Sequence, residues 1–406
     1  MSDRIILHCD CNSFFASVES ALHPEFKKVP MAVCGNPEER HGIVLAKNER
    51  AKKFGVKTAE TIFSAKQKCP KLVIAKPHYE EYERFSTLVN RIYHRYTDKV
   101  EPFGIDESWL DVTASQRIFG SGEEIAEKIR SDVKSELGIT VSIGVSFNKV
   151  FAKLGSDYKK PDAVTVINRS NFKSIVYPLP VSDLLFIGSK TENELAMLGI
   201  RTIGDLAKAD PKILELRFGK NGELLHKYAT GEDDTPVSDE SEDAKSVGNG
   251  FTFRHDLVGF EECCSGIDFL VEEIAQRLRQ AHMKCLSVQL TVKDSYLRSI
   301  QRQAPGPEPT NDSRILAVAA YAILKKEWSD TKPIRMLTVT AINLIEENGY
   351  SEQIDIFSQD DKEEESCKST SKRNKAIDKI RQKYGTDSLV NGSVIGTDIG
   401  IYKQKL

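Results

Sequence analysis

Three acids far apart in the chain, Asp10, Asp106 and Glu107, have the residue types and settings for divalent-metal chemistry. Asp10 lies near the end of the apolar run IILHCDC at 5–11, and Asp106-Glu107 sit at the turn of a hairpin-like pair in GIDESWLDV at 104–112. Acids at the ends of adjacent strands can converge on one sheet edge. Clustered carboxylates repel one another, and hard cations neutralise them. Magnesium takes oxygen ligands and keeps several waters, so it suits a site that phosphates complete. Two such ions ~3.5–4 Å apart would activate an attacking oxygen and stabilise a leaving one. Consecutive residues of a regular strand face opposite sides. Asp106 and Glu107 can therefore share a site only at a bend, or if one acid reaches in from the edge. Taken singly, each acid also fits an ordinary exposed turn; the combination carries the case.

The elements that would position these acids alternate. A strand at Ile5–Cys11 runs into a helical pattern from Ser13 to Ser20. An amphipathic helix is predicted from Tyr79 to Tyr96, with Tyr82, Phe85, Leu88, Val89 and Ile92 at helical spacing. The strand pair Lys99–Ile105 and Trp109–Val112 follows, then a helix at Glu123–Glu136, a strand at Ile139–Phe147 and a helix at Lys149–Asp157. Between Pro24 and Pro77 lies a small, basic, mixed segment with a short helix at Asn48–Phe54, closed by Gly55. This alternation predicts an α+β or α/β fold with acids at strand ends.

With 406 residues the chain has room for two to four domains. Its formal net charge is −3, so any nucleic-acid surface must arise from local arrangement rather than bulk charge. The eight cysteines form no CxxC pair, which points to a reduced compartment. The N-terminal residues lack signal architecture, and no uncharged run approaches the ~18 residues a membrane helix needs. A soluble, cytoplasmic protein that does not enter the membrane is expected.

Pro178 and Pro180 mark a boundary. Short helices joined by glycines are predicted from Val181 to Thr230, then an exposed acidic linker, TGEDDTPVSDESEDA, at 230–244. Residues 245–347 read as strand, helix, strand, strand, helix, strand, a second α+β module. The stretch 349–371 is polar and acid-rich and is read as flexible, with a short helix at Lys375–Tyr384.

Three stretches resemble the Y-family, or lesion-bypass, DNA polymerases. HCDCNSFFASVE at 8–19 and GIDESWLDVT at 104–113 resemble the family's two metal motifs, and GVSFNKVFAKLGSDYKKP at 144–161 its third conserved stretch. The resemblance runs from about residue 4 to 345 and leans to the bacterial UmuC-type and DNA polymerase IV-like members, the UmuC side first. Asn12 stands where the polymerase IV type has a second aspartate, and it is not read as a ligand. In LAKNERAKKFGV at 45–56, Glu49 and Lys52 replace that type's tyrosine and arginine.

The resemblance implies a multidomain α+β polymerase. A palm with an antiparallel or mixed sheet would take 1–23 and 78–168, small fingers 24–77, and a helical thumb with a helix-hairpin-helix 169–231. A linker at 232–244 would lead to a little finger at 245–348 and a flexible tail at 349–406. It implies template-directed addition of deoxynucleotides to a primer, with low fidelity, in repair and the SOS response. Asp10, Asp106, Glu107 and the Cys11 carbonyl would hold two Mg2+ ions. Phe15 would be the steric gate against ribonucleotides, with Phe14 beside it as a nucleotide-binding residue; core packing on the first helix is the other reading of both. Lys160, Lys52 and Ser13 would meet the triphosphate, Ser13 alternatively serving as an ordinary helix cap. Gly188 and Gly199 would let backbone amides approach DNA phosphates. Lys293, Arg298 and Arg302 would lie in a strand pair facing the duplex, the other reading being a solvated strand face. Gln353, Ile356 and Phe357 resemble a sliding-clamp peptide. The implied partners are primer-template DNA, deoxynucleoside triphosphates and the bacterial clamp, with the chain a monomer. A nucleotidyl cyclase shares the acid-bearing sheet but predicts no DNA modules in 181–345. A non-catalytic relative predicts a lost acid, and all three acids are present.

Overall fold

The computed structural model describes residues 3–36, 42–238, 244–347, 361–385, 388–394 and 399. The chain forms two units, the first comprising Met1–Pro37 and Gly42–Ser241, the second including Glu242–Leu406.

The first unit is built on a five-stranded sheet ordered Val100–Pro102, Glu107–Asp111, Ile6–Cys11, Val141–Ser146, Val164–Ile167. Ile6–Cys11 is central and antiparallel to both neighbours, and all six of its residues are buried. Period-two alternation splits that strand between two environments. Leu7, Cys9 and Cys11 join the core made with helices Tyr79–Tyr93 and Gly122–Leu137. Ile6, His8 and Asp10 face the other way, toward helix Lys149–Tyr158: Ile6 packs with Ala152, and His8 meets Ser156. A strand covered on both faces ordinarily reads as unbroken apolar sequence; here two polar residues interrupt it, both on one face.

Local signals set these helices. Ser121 and Glu124 form a capping box at the start of Gly122–Leu137, and Gly138 ends it at φ 68°. Asn148 caps Lys149–Tyr158 by accepting from Phe151 N. That helix lies directly on the strand at Gly144, where a Cβ would come within 1.8 Å of the Ala152 carbonyl oxygen and 2.5 Å of Ser156 N. Contact this close needs glycine.

A small three-stranded sheet, Val44–Lys47, Met31–Cys34 and Val73–Ala75, forms around its own core of Ala32, Val44, Ala51, Ala65 and Leu72. Five helices between Phe172 and Thr230 pack around Leu195, Ile203, Leu206, Leu214 and Leu225. The segment expected to be an exposed linker is instead fastened to this unit in its first half. Val237 is buried with Ile6, Trp109 and Ala152, and Arg4 donates to the carbonyls of Asp233 and Thr235. One apolar residue and main-chain acceptors suffice, which an acidic composition conceals.

The second unit has the predicted element order. Its antiparallel sheet runs Ser299–Thr310, Met283–Asp294, Ile334–Glu346, Ser246–Leu257, and helices Phe260–Gln280 and Ser313–Glu327 contribute to the same core. The tail departs from expectation. A helix spans Asp361–Tyr384 and so begins inside the stretch read as flexible. Its later part is tied down by polar contacts: Arg279 grips Asp378 through two bonds of 2.7 Å, Arg381 pairs with Glu272 at 2.8 Å, and Asn374 donates to Asp312 at 3.0 Å. The predicted helix Lys375–Tyr384 is its later part; periodicity misses only the earlier turns, DKEEESCKSTSK, which carry almost no apolar residue. Among the described residues, no helix is long and apolar enough to cross a membrane.

Candidate active site

Strand register brings the three acids together. Asp10 pairs directly opposite Glu107, so their side chains share a face. Cys11 N donates to the Asp106 carbonyl at 3.0 Å. The chain bends at Gly104–Asp106 and the strand begins at Glu107, so the two consecutive acids lie at a bend, one of the two arrangements under which they could share a site.

The side chains are held by helix Lys149–Tyr158 and the loop after it. Lys160 Nζ bonds Asp10 Oδ2 and Asp157 Oδ1, each at 2.6 Å. Lys153 donates to Glu107 Oε2, and His8 Nε2 lies 3.1 Å from that oxygen. His8 Nδ1 is 2.8 Å from Ser156 Oγ, and Trp109 packs edge-on against the imidazole. Asp106 has no ion-pair partner among the described residues.

Burial lifts the Asp10 carboxyl to about 6, against the pull of Lys160 and with the help of Glu107 and Asp106. Burial and then the neighbouring Glu107 raise Asp106. Burial alone would raise Glu107 as well, but hydrogen bonds from His8 and Lys153 outweigh it and bring that carboxyl down to about 2. Burial keeps His8 below the usual imidazole range. Among the described residues, no three His, Cys, Asp or Glu side chains gather into a ready metal cluster, in keeping with Asp10 and Glu107 turned toward lysines. The donor set nevertheless fits a hard cation: carboxylate oxygens, one of them without a counter-ion, in a partly buried site already drawing ammonium groups.

Next to the acids lies a cavity of about 240 Å³, lined by Asp10, Cys11, Ser13, Phe14, Phe15, Lys47, Thr58 and Asp106, among others. Ser13 has φ 48° and makes no capping hydrogen bond with its side chain, so the ordinary-cap reading is set aside. Phe14 is buried in the core, yet it also borders the cavity. Phe15 stacks on Tyr82 at 4.2 Å and 11°, and Tyr82 donates to the buried Glu19 at 2.6 Å. The ring of Phe15 is thereby backed by a fixed partner.

Other expected residues lie elsewhere. Lys52 is exposed and 3.6 Å from Glu49. Gly188 precedes helix Ser189–Met197 and Gly199 follows it at φ 78°. In the second unit Arg302 stands opposite Leu290, a core residue, and pairs with Glu327 at 3.0 Å. It therefore belongs to the helix-covered side rather than the open face. Arg298 is tied to Asp294 at 2.9 Å in the hairpin turn. Lys293 alternates with the buried Val292 and Asp294, which puts it on the open face. Gln353, Ile356 and Phe357 fall outside the described residues.

Sequence reading missed His8, Lys153, Ser156 and Lys47, and it left Asn12 without a role. Asn12 Oδ1 accepts from Asp162 N at 2.8 Å and Thr140 Oγ1 at 3.0 Å, and its Nδ2 donates to Ser142 at 2.8 Å. It anchors the loop that carries Lys160. The available signal was His8, two residues before Asp10 in an otherwise apolar strand.

Family models match two stretches of the chain. The impB/mucB/samB family matches residues 9–157, and its C-terminal domain matches 244–356, a region for which a nucleotidyl cyclase has no counterpart. A DNA polymerase IV of Acetivibrio thermocellus is 44% identical over 394 residues, covering 97% of this chain and 98% of its own. One from Clostridium kluyveri is 37% identical, with 97% and 98% covered. Of the two bacterial types considered, the relatives carry the polymerase IV name rather than UmuC. A solved Y-family DNA polymerase chimera superposes with a TM-score of 0.75 at 25% identity, over 84% of this chain and 99% of its own. On these grounds the chain belongs to the impB/mucB/samB family of Y-family DNA polymerases, alongside proteins named DNA polymerase IV.

Proposed function

We propose that this Y-family polymerase carries out nucleotidyl transfer at the edge formed by Asp10, Asp106 and Glu107, and that it copies damaged templates. The observation that carries the proposal is the register pairing of Asp10 with Glu107, with Asp106 at the adjoining bend, beside a cavity that an aromatic ring closes. Two Mg2+ ions bound by the three carboxylates and the Cys11 carbonyl would supply Lewis-acid charge at the attacking and leaving oxygens. The chain's own residues do the rest. Helix Lys149–Tyr158 holds Glu107 through Lys153 and keeps His8 beside it. Lys160 poises a positive charge at Asp10 and can turn it to the triphosphate. Ser13 offers an uncommitted hydroxyl at the start of helix Phe14–Leu22. Phe15, backed by Tyr82, leaves no room for a 2′-hydroxyl.

The palm, fingers and thumb would occupy the segments expected from the sequence, and the second unit would be the little finger. Nothing in the fold demands glycine at 188: its φ is −89°, and a Cβ would meet no atom within 4 Å. As the N-cap of helix Ser189–Met197 it stands in open space, where the backbone would be free to approach DNA phosphate closely. Lys293 would touch the duplex. Primer-template DNA and deoxynucleoside triphosphates are the substrates. The clamp, through Gln353, Ile356 and Phe357, is the accessory partner of a cytoplasmic monomer acting in SOS-type repair.

Primer extension tests the assignment. Asp106→Ala should lower kcat by ~10³-fold or more, since several kcal/mol of transition-state stabilisation are removed at a decade per 1.36 kcal/mol. DNA affinity, read by fluorescence anisotropy, should hold. Extension at the wild-type rate would refute the site.

A further inference from the structure

The cavity beside the acids must take a polyanion, and its cations are unequally free. Lys160 is bound to Asp10 and Asp157, and Lys153 to Glu107. Lys52, the position expected to meet the triphosphate from the small three-stranded sheet, is exposed and faces Glu49 at 3.6 Å. Lys47 differs from all three. It ends strand Val44–Lys47, lines the cavity with Asp10, Ser13, Phe15 and Asp106, and has no carboxylate within ion-pair distance among the described residues. Its Nζ donates to Thr58 Oγ1 at 2.8 Å, and Thr58 lines the same cavity.

We propose that Lys47 is a cation that receives the triphosphate in the cavity beside the acids, with Thr58 holding its ammonium in place. The inference rests on the reading of Asp10 and Asp106 as the catalytic edge, and it moves the role expected of Lys52 to a neighbouring residue. Three physical points agree. An ammonium partly withdrawn from water and lacking a counter-ion gains most from an arriving phosphate. Partial burial, and after it the repulsion of Lys52, hold the Lys47 ammonium below the usual lysine range against the smaller pull of Glu49 and Glu60, and a polyanion opposes both. At the end of strand Val44–Lys47, paired with Ala32, the backbone of Lys47 is fixed by the sheet, so its ammonium stays beside the cavity.

Single-nucleotide incorporation by the full-length protein tests this. Lys47→Ala should raise KM for the correct deoxynucleoside triphosphate about 10- to 100-fold, the worth of one hydrogen bond to a charged group. It should leave kcat within about threefold, the pattern of lost uniform binding. Lys47→Arg should restore most of the affinity, and Thr58→Val should raise KM about threefold. Competitive inhibition by the matching deoxynucleoside monophosphate should be unchanged, because it lacks the outer phosphates. An unchanged KM in Lys47→Ala would overturn the proposal. So would weakened primer-template binding at constant KM, or a parallel loss of monophosphate affinity; each would place Lys47 on the template or the base instead. Asp106→Asn, run alongside, separates the two levels. If it abolishes incorporation while Lys47→Ala leaves KM alone, only Lys47 is misassigned. If Asp106→Asn extends normally, the catalytic edge is itself wrong and the Lys47 proposal falls with it.

Discussion

Phe14 and Phe15 are adjacent and chemically identical, yet the helix sends one into the core and sets the other against Tyr82 at the cavity. As the proposed gate Phe15 has a steric task, so shrinking it should relax sugar choice. Phe15→Val should raise the ratio of ribonucleotide to deoxynucleotide incorporation about 10- to 100-fold, the range over which a pocket discriminates by a single small group. An unchanged ratio in single-nucleotide assays would reject the gate. At this scale the sequence was legible where a motif singled out a residue type: Asp10, Asp106, Glu107, Phe15 and Lys160 all gather at the predicted edge or its cavity. It was illegible where a role depends on three-dimensional pairing. Nothing in the type of Lys153 says that it holds Glu107, nor in that of Lys52 that it stands out in solvent beside Glu49. Arg302 reads as a strand cation in either register, and only its position opposite Leu290 assigns it to the covered side.

Helix Lys149–Tyr158 is the element on which the site depends, because it carries Lys153 and Ser156 over Glu107 and His8. Its placement depends on Gly144, where helix and strand backbones touch. Gly144→Ala would force that helix off the sheet. Overpacking of this kind costs ~3 kcal/mol, which lowers Tm by roughly 6–12 °C in a domain of this size. Calorimetry should show that drop together with loss of extension; a variant of wild-type Tm would mean the helix is seated by something else. Element existence and order were readable because the apolar positions follow strand and helix periods. The fastening of the acidic segment after Thr230 was not, because carbonyl acceptors and a single valine hold it, and of the helix Asp361–Tyr384 only Lys375–Tyr384 was, because DKEEESCKSTSK before it carries almost no apolar residue.

At the scale of the whole chain, the proposed function would put catalysis in the first unit and clamp attachment in the short sequence Gln353–Phe357. Replacing Gln353, Ile356 and Phe357 with alanine should therefore abolish stimulation of extension by the clamp and leave the basal rate unchanged. A variant still stimulated to the wild-type level would place the clamp contact elsewhere. With a formal net charge of −3, any DNA-binding surface must arise from the local arrangement of cations rather than from bulk charge.

The most direct measurement is a count of bound metal. Mn2+ titrated into the protein with a dideoxy-terminated primer-template and the next correct nucleotide should occupy two sites by electron paramagnetic resonance, as two-ion phosphoryl transfer requires. Asp106→Ala should lose at least one of them while the DNA stays bound. Identical occupancy in wild type and variant would contradict the claim that these carboxylates hold the ions.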